Sequence, residues 1–326
     1  MQGKEVSEQE TKAKSSVGID TSKHWLDAHV IPAQRRLRVA NTCDGIRKLK
    51  RWLARFEIGL VVIEATGKWH RQTHRSLVAS GIAVAVVDPF RVRMFAKAQG
   101  VFAKTDRLDA RVLAQFAAVM APPVRPPAPE ALAELAELVV ARFSAVEAQT
   151  ALKNQLSAAE GKFLKRQLEG RIARTGKDIA ALEREILKRI KTDEGLARRY
   201  AILISIPSFG FVVAATLIAC LAELGSTTAK QIGMLAGLAP IADQSGEREG
   251  IRVIWGGRAR VRRILYLAAV TAARSYGDMK AFYQRLTANG KPPKVVIIAI
   301  ARKLVVLANT LVSEDRSWQP GAPSYA

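Results

Sequence analysis

A proline-rich segment, APPVRPPAPE at residues 121–130, divides this 326-residue chain into two stretches of different character. Proline fixes φ and removes a backbone donor, so neither a helix nor a central strand runs through such a segment, and it marks a domain boundary. Before it, from about Val17 to Met120, short β-rich apolar runs alternate with helical patterns. VGIDTS, WLDAHVI and RRLRVAN read as three strands. DGIRKLKRWLARF has helical spacing, with Asp44 as the expected N-cap. LVVIEAT is a continuous apolar strand, buried on both faces. A helix is expected from about Lys68 to Ser80, then a second buried strand, IAVAVVDP, stopped by Pro89. The run from Thr105 to Met120 is helical, with Thr105 as its cap. This order predicts an α/β domain over residues 17–120, a mixed sheet covered by helices.

After the break the grammar is helical. Residues 131–200 are rich in Ala, Leu, Glu, Lys and Arg, and Ile172, Ile179 and Ile186 are spaced by sevens with Leu182 between them. That pattern predicts a long helical hairpin or coiled coil broken near Gly161 or Gly170. It is either a plain spacer or a dimerisation arm whose basic face binds nucleic acid. Residues 201–312 read as a mostly α domain. Within it, ISIPSFGFVVAATLIACL has the shape of a helix-hairpin-helix, whose turn presents backbone N–H groups to a phosphate. Residues 201–222 are uncharged and mostly apolar, but Pro207 and Gly210 interrupt them, leaving a stretch too short to cross a bilayer. The ends, 1–16 and 313–326, are expected to be disordered.

The charge narrows the partners. With 51 Lys and Arg against 29 Asp and Glu, the net charge is +22. The basic residues are spread along the chain, which predicts a broad surface for a polyanion, with nucleic acid the commonest. Cys43 and Cys220 match no metal-ligand spacing, which argues against a disulfide framework and a zinc site and points to a reducing cytoplasm. The polar start, MQGKEVSEQETKAKSS, lacks the apolar core of a signal peptide.

Four carboxylates carry the chemistry. Asp20 and Glu64 each end a β-rich apolar run, and Asp106 and Asp109 lie three apart at the start of a helical pattern, so they share a face. Two strand ends and one helix face can converge on a point, where four oxygen donors suit Mg2+ or Mn2+. Such ions clamp the attacking and leaving oxygens of a phosphodiester displacement. Singly, each acid has a plainer reading: a strand-end turn, a surface charge, or a first-turn acid complementing the helix dipole. Asp27 reads as a strand-surface acid and Asp88 as a turn residue before Pro89. His24, His29, His70 and His74 show no ligand pattern, and Trp69 and Trp255 read as core residues.

The ordered set GIDTSK, IEATG, KTDRLDA, SIPSFGFVVAATLIACLAELG, IGMLAGLAPIADQSG, RVIWGGRARVRRILYLAA, FYQRL and GKPPKVVIIAIARKL resembles the DEDD-type transposases of bacterial insertion sequences. This is the one-ten family, which includes the Piv DNA invertases, and the resemblance covers about residues 17–312. It implies a RuvC-like, ribonuclease H-like N-terminal domain whose metal-binding tetrad is Asp20, Glu64, Asp106 and Asp109. It also implies a nucleophilic serine after the Gly237-Leu238-Ala239-Pro240 turn, which falls on Ser245. The family's Pro-Gly-x-Gly hairpin turn reads Pro207-Ser208-Phe209-Gly210 here, and Glu249 stands where many members have arginine. Arg252, Arg258, Arg260, Arg262 and Arg263 flank Ser245 and read as phosphate contacts, as do Lys291, Lys294, Arg302 and Lys303. The implied partners are double-stranded DNA and a structured noncoding RNA that guides the enzyme by base pairing. The tetrad and Ser245 lie on opposite sides of the linker and helical arm, so a homo-oligomer, dimer or tetramer, is expected. A Piv-type invertase, or a RuvC-like nuclease without covalent catalysis, are the alternatives.

Overall fold

The computed structural model describes residues 14–320, except 66, 102–105, 242–243, 246–247, 251 and 276 and the side chains of 106–108, 244–245 and 248–249. The chain forms two compact units, residues 1–127 and 128–326, which divide inside the proline-rich segment.

The first unit holds β1 (Ser15–Thr21), β2 (Trp25–Ile31), β3 (Arg35–Ala40), α1 (Cys43–Leu53), β4 (Ile58–Glu64), α2 (Arg71–Val78), β5 (Val84–Val87), α3 (Pro89–Ala98) and α4 (Asp106–Met120). The strands form one sheet in the order β3-β2-β1-β4-β5. β1–β2 and β2–β3 pair antiparallel, while β1–β4 and β4–β5 pair parallel. The expected mixed sheet is therefore present, with an apolar layer on each face. On one face Val17, Ile19, Val61 and Ile63 pack with Ile46, Leu49 and Leu53 of α1 and Leu77 of α2. On the other, Val62, Ala85 and Val87 pack with Val92 and Ala96 of α3 and Val112, Leu113 and Phe116 of α4. Continuous apolar strands are what a sheet covered on both sides requires.

Three local expectations change. Thr42, not Asp44, caps α1, its side chain accepting from the Gly45 N–H, and Asp44 sits in the first turn. Asp88 and Pro89 do more than stop a strand: Asp88 accepts from the Phe90 N–H and Pro89 opens α3, because proline's missing N–H costs nothing at a helix start. The helix expected from Lys68 begins at Arg71. Thr105, the expected cap of α4, lies outside the described residues.

The second unit holds α5 (Glu130–Ala158), α6 (Lys162–Thr192), α7 (Glu194–Ser205), α8 (Phe211–Cys220), α9 (Ala229–Leu235), β6 (Pro240–Ile241), β7 (Gln244–Ser245), β8 (Arg248–Glu249), β9 (Val253–Ile254), α10 (Ala259–Ser275), α11 (Gly277–Ala288) and α12 (Pro293–Ser313). The α5–α6 hairpin turns at residues 159–161, while Gly170 stays inside α6. Its root is not a separate layer. Leu132, Leu135, Val139 and Phe143 of α5, with Ile186 and Ile190 of α6, join the single core built by α7 to α12. By length and composition α12 could cross a membrane. It packs instead in this core, where buried Asn309 accepts from the Gly225 N–H and donates to the Thr227 carbonyl. The tail expected to be disordered is tied down as far as Trp318, which packs on the core and donates its N–H to Ser205 Oγ.

Candidate active site

The first unit sets three of the four carboxylates on one face of its sheet. β1 and β4 run parallel with Ile19 beside Ile63, so Asp20 and Glu64 follow as neighbours at the C-terminal ends of adjacent strands. The face is fixed by Gly18, two residues before Asp20. A Cβ there would lie 2.2 Å from the Ala110 carbonyl oxygen and 2.3 Å from the Ala114 nitrogen. β1 thus meets α4 backbone to backbone, and Asp20 projects toward the start of α4. Val62, two residues before Glu64, packs with Leu113 and Phe116 of α4, so Glu64 shares that face. Glu64 and Asp109 line one cavity of about 360 Å³ with Phe90, Arg93 and Val101. Asp106 is the first residue of α4, one turn from Ala110. Acids at a helix N-terminus are stabilised by its dipole.

The donor chemistry fits a hard divalent cation. Among the described residues no three His, Cys, Asp or Glu gather closely enough to hold an ion, and the Asp106 side chain lies outside that description. Asp27, read from sequence as a plain strand-surface acid, stands directly opposite Asp20 in the β1–β2 register. Arg38 holds it with two bonds of 2.8 Å, Nε to Oδ1 and Nη2 to Oδ2. Like charges directly across a ladder repel, and this guanidinium neutralises one of them. His74 is buried, and its Nε2 lies 3.1 Å from the Arg125 carbonyl.

Ser245 lies in the second unit on a β-ribbon. β6 pairs with β9 and β7 with β8, one ladder nested inside the other, and Ser245 is opposite Arg248. The root of the ribbon is clamped by glycines at positive φ: Gly237 at 69° and Gly257 at 64°. A Cβ on Gly257 would lie 2.3 Å from the Gly237 nitrogen, and Arg262 Nη1 donates to the Gly256 carbonyl at 2.6 Å. The GLAP turn before the serine and the GGR turn after it are therefore pressed together.

The arginines expected to hold phosphate have mixed placements. Arg258 forms a two-pronged pair with Glu223, at 2.6 and 2.8 Å, and its N–H donates to the Leu235 carbonyl. Both its side chain and its backbone donor thus have partners within the second unit. Arg263 pairs with Glu147. Arg252, Arg260, Lys291 and Lys294 are exposed. Trp255, read as core, is 60 % exposed beside the ribbon root. In the turn 207–210, Ser208 adopts φ 74°, and among the described residues its buried Oγ has no hydrogen-bond partner.

Two family models match the chain. Residues 17–159 match the DEDD transposase model of IS110 type, and residues 200–284 match the transposase model of the IS116/IS110/IS902 family. The chain belongs to the IS110 transposase family. It is an enzyme of DNA recombination. Among relatives of this IS110 transposase, the pilin gene-inverting protein of Moraxella bovis is 26% identical over 316 residues, 94% of this chain and 98% of that protein. The homologous inverting protein of Moraxella lacunata matches to the same extent. The IS900 42 kDa protein of Mycobacterium paratuberculosis is 26% identical over 48% of this chain and 40% of its own length.

Proposed function

We propose that this IS110-family enzyme cuts and rejoins DNA through a RuvC-like carboxylate site and a covalent serine–DNA intermediate. The observation that carries the reading is the shared face of Asp20, Glu64 and Asp109, the latter two on one cavity. DEDD transposase domains imply dependence on a divalent cation, which Asp20, Glu64, Asp106 and Asp109 would hold. When bound, it withdraws charge from the phosphate and eases loss of a proton from the attacking hydroxyl. Ser245 Oγ then forms a bond to phosphorus, the bond from phosphorus to one deoxyribose oxygen breaks, and the serine proton is balanced by the one the leaving oxygen takes up. The number of phosphoester bonds is unchanged, so a deoxyribose hydroxyl of a new strand can reverse the step without a nucleotide cofactor. Exposed Arg252, Arg260, Lys291 and Lys294 hold the backbone. The enzyme works as a homo-oligomer with a structured guide RNA, Mg2+ or Mn2+ and duplex DNA.

The test is a denaturant-resistant protein–DNA adduct. Wild-type protein should form it with Mg2+, peptide mapping should place it between Ala242 and Arg248, and Ser245→Ala should abolish it. Normal strand exchange by Ser245→Ala would overturn the serine assignment. Site-specific inversion is a second reading, favoured because the two inverting proteins match nearly their whole length while the IS900 protein matches less than half. Assaying excision and inversion on paired substrates separates the two.

A further inference from the structure

A second polar site opens on the same sheet face, on the far side of α4 from Glu64. β1 Asp20 faces β2 Asp27, and β2 His29 faces β3 Arg36. Alternation along the strands puts Gly18, Asp20, Asp27, His29, Arg36 and Arg38 on one side of the sheet. α4 covers β1 there, and beyond it lies a pocket of about 250 Å³ lined by Asp27, His29, Arg36, Arg38 and Ala110.

Its cations are built, not merely present. His29 is 1 % exposed. Its Nδ1 lies 3.3 Å from Arg36 Nε, and its Nε2 lies 3.2 Å from Gln34 Oε1. An arginine Nε can only donate, so Nδ1 accepts and the single proton sits on Nε2. Burial, with Arg36 and Arg111 nearby, holds the imidazole pKa below its usual value, which keeps this neutral form. A neutral histidine thus pins Arg36 by its Nε alone. Among the described residues the terminal nitrogens of Arg36 and the guanidinium of Arg111 meet no acidic side chain. Arg38, by contrast, is occupied by Asp27.

We propose that this pocket seats a backbone phosphate of the DNA strand being cut, gripped by the terminal nitrogens of Arg36, while exposed Arg111, the residue of α4 that follows pocket-lining Ala110, adds its charge at the rim. Two strand spacings and two residues separate Arg36 from Asp20, roughly 12 Å, a distance that a few nucleotides of backbone cover. A phosphate held here fixes the register of the strand at the carboxylates without reading its sequence. Arg38, closed on Asp27, separates the cationic seat from the anionic site. The inference rests on the carboxylate reading above, and its test stands apart from it.

Full-length protein is assayed for binding to a mixed-sequence single-stranded DNA and to the same sequence as RNA, across a range of salt. Arg36→Gln/Arg111→Gln should flatten the plot of log affinity for DNA against log salt by about 1. Arg35→Gln, which removes one positive charge from the opposite face of β3, and Arg35→Gln/Arg55→Gln, which removes two away from the pocket, should leave the slope unchanged. An unchanged slope in Arg36→Gln/Arg111→Gln, an equal change in either control, or a change for RNA alone would each overturn the proposal. Cleavage by wild type and by Asp109→Asn is measured on the same preparations. If wild type does not cleave, the catalytic reading fails while the salt slope still decides the phosphate seat.

Discussion

Gly18 fixes the distance between β1 and α4, and with it the placement of Asp20 against Asp109. Any side chain there meets the backbone of Ala110 and Ala114, which cannot rotate away. Gly18→Ala should cost about 3 kcal/mol, the upper part of the range for overpacking a core. Chemical denaturation measures that loss, and strand cleavage should fall with it because the carboxylates are pushed apart. Ser208 is the opposite case. It occupies a left-handed conformation that suits glycine and buries a hydroxyl that has no partner among the described residues. Ser208→Gly removes both costs and should stabilise the second unit by about 1 kcal/mol. A thermal shift downward would show that the hydroxyl has a partner the structure does not reveal.

At the scale of elements, the ribbon β6–β9 depends on its root. Gly257→Ala would drive a methyl into the Gly237 backbone and force a positive φ on alanine. Among the described residues, the helical core of the second unit includes none from the ribbon strands, so helix content by circular dichroism should stay near wild type while cleavage falls at least tenfold. Loss of helix content in step with activity would mean that the ribbon supports the core. This ribbon is also where the sequence was least legible. Ladders of two residues carry no period, and Pro240, Gln244 and Glu249 are poor strand formers. β4 and β5 were legible as short Val- and Ile-rich apolar runs bounded by turn residues, and β3 by the alternation of arginines with Leu37 and Val39. The α5–α6 hairpin was legible from its sevenfold isoleucines, but the choice of 159–161 over Gly170 as the turn was not, since a lone glycine costs a helix only about 1 kcal/mol. Of the candidate site, the placement of Asp20 and Glu64 at strand ends and of Asp106 and Asp109 at a helix start was readable. The pairing of Asp27 with Arg38 was not, because it depends on the β2–β3 register and joins residues eleven apart.

The whole molecule is two units with separate cores, and histidine occurs in only one of them. All four histidines, His24, His29, His70 and His74, lie in the first unit. Burial holds the pKa of His29 and of His74 below the usual imidazole value. A bond to Gln34 in the first case and to the Arg125 carbonyl in the second offsets this only partly. The unfolded chain therefore binds protons that the folded unit refuses. Stability is full above the unfolded pKa of about 6.5 and is lost as pH falls from there toward the lowered folded values. The second unit has no histidine to carry such a loss. Calorimetry of the full chain should resolve two transitions at pH 7.5, and lowering the pH to 5.5 should move one of them down while the helix-rich unit, followed by far-ultraviolet circular dichroism, keeps its midpoint. His74→Gln, which retains a donor for the Arg125 carbonyl but cannot take up a proton, should shrink that shift. A single transition at both pH values would show that the units unfold together. A shift undiminished in the variant would remove His74 as a source of the acid sensitivity.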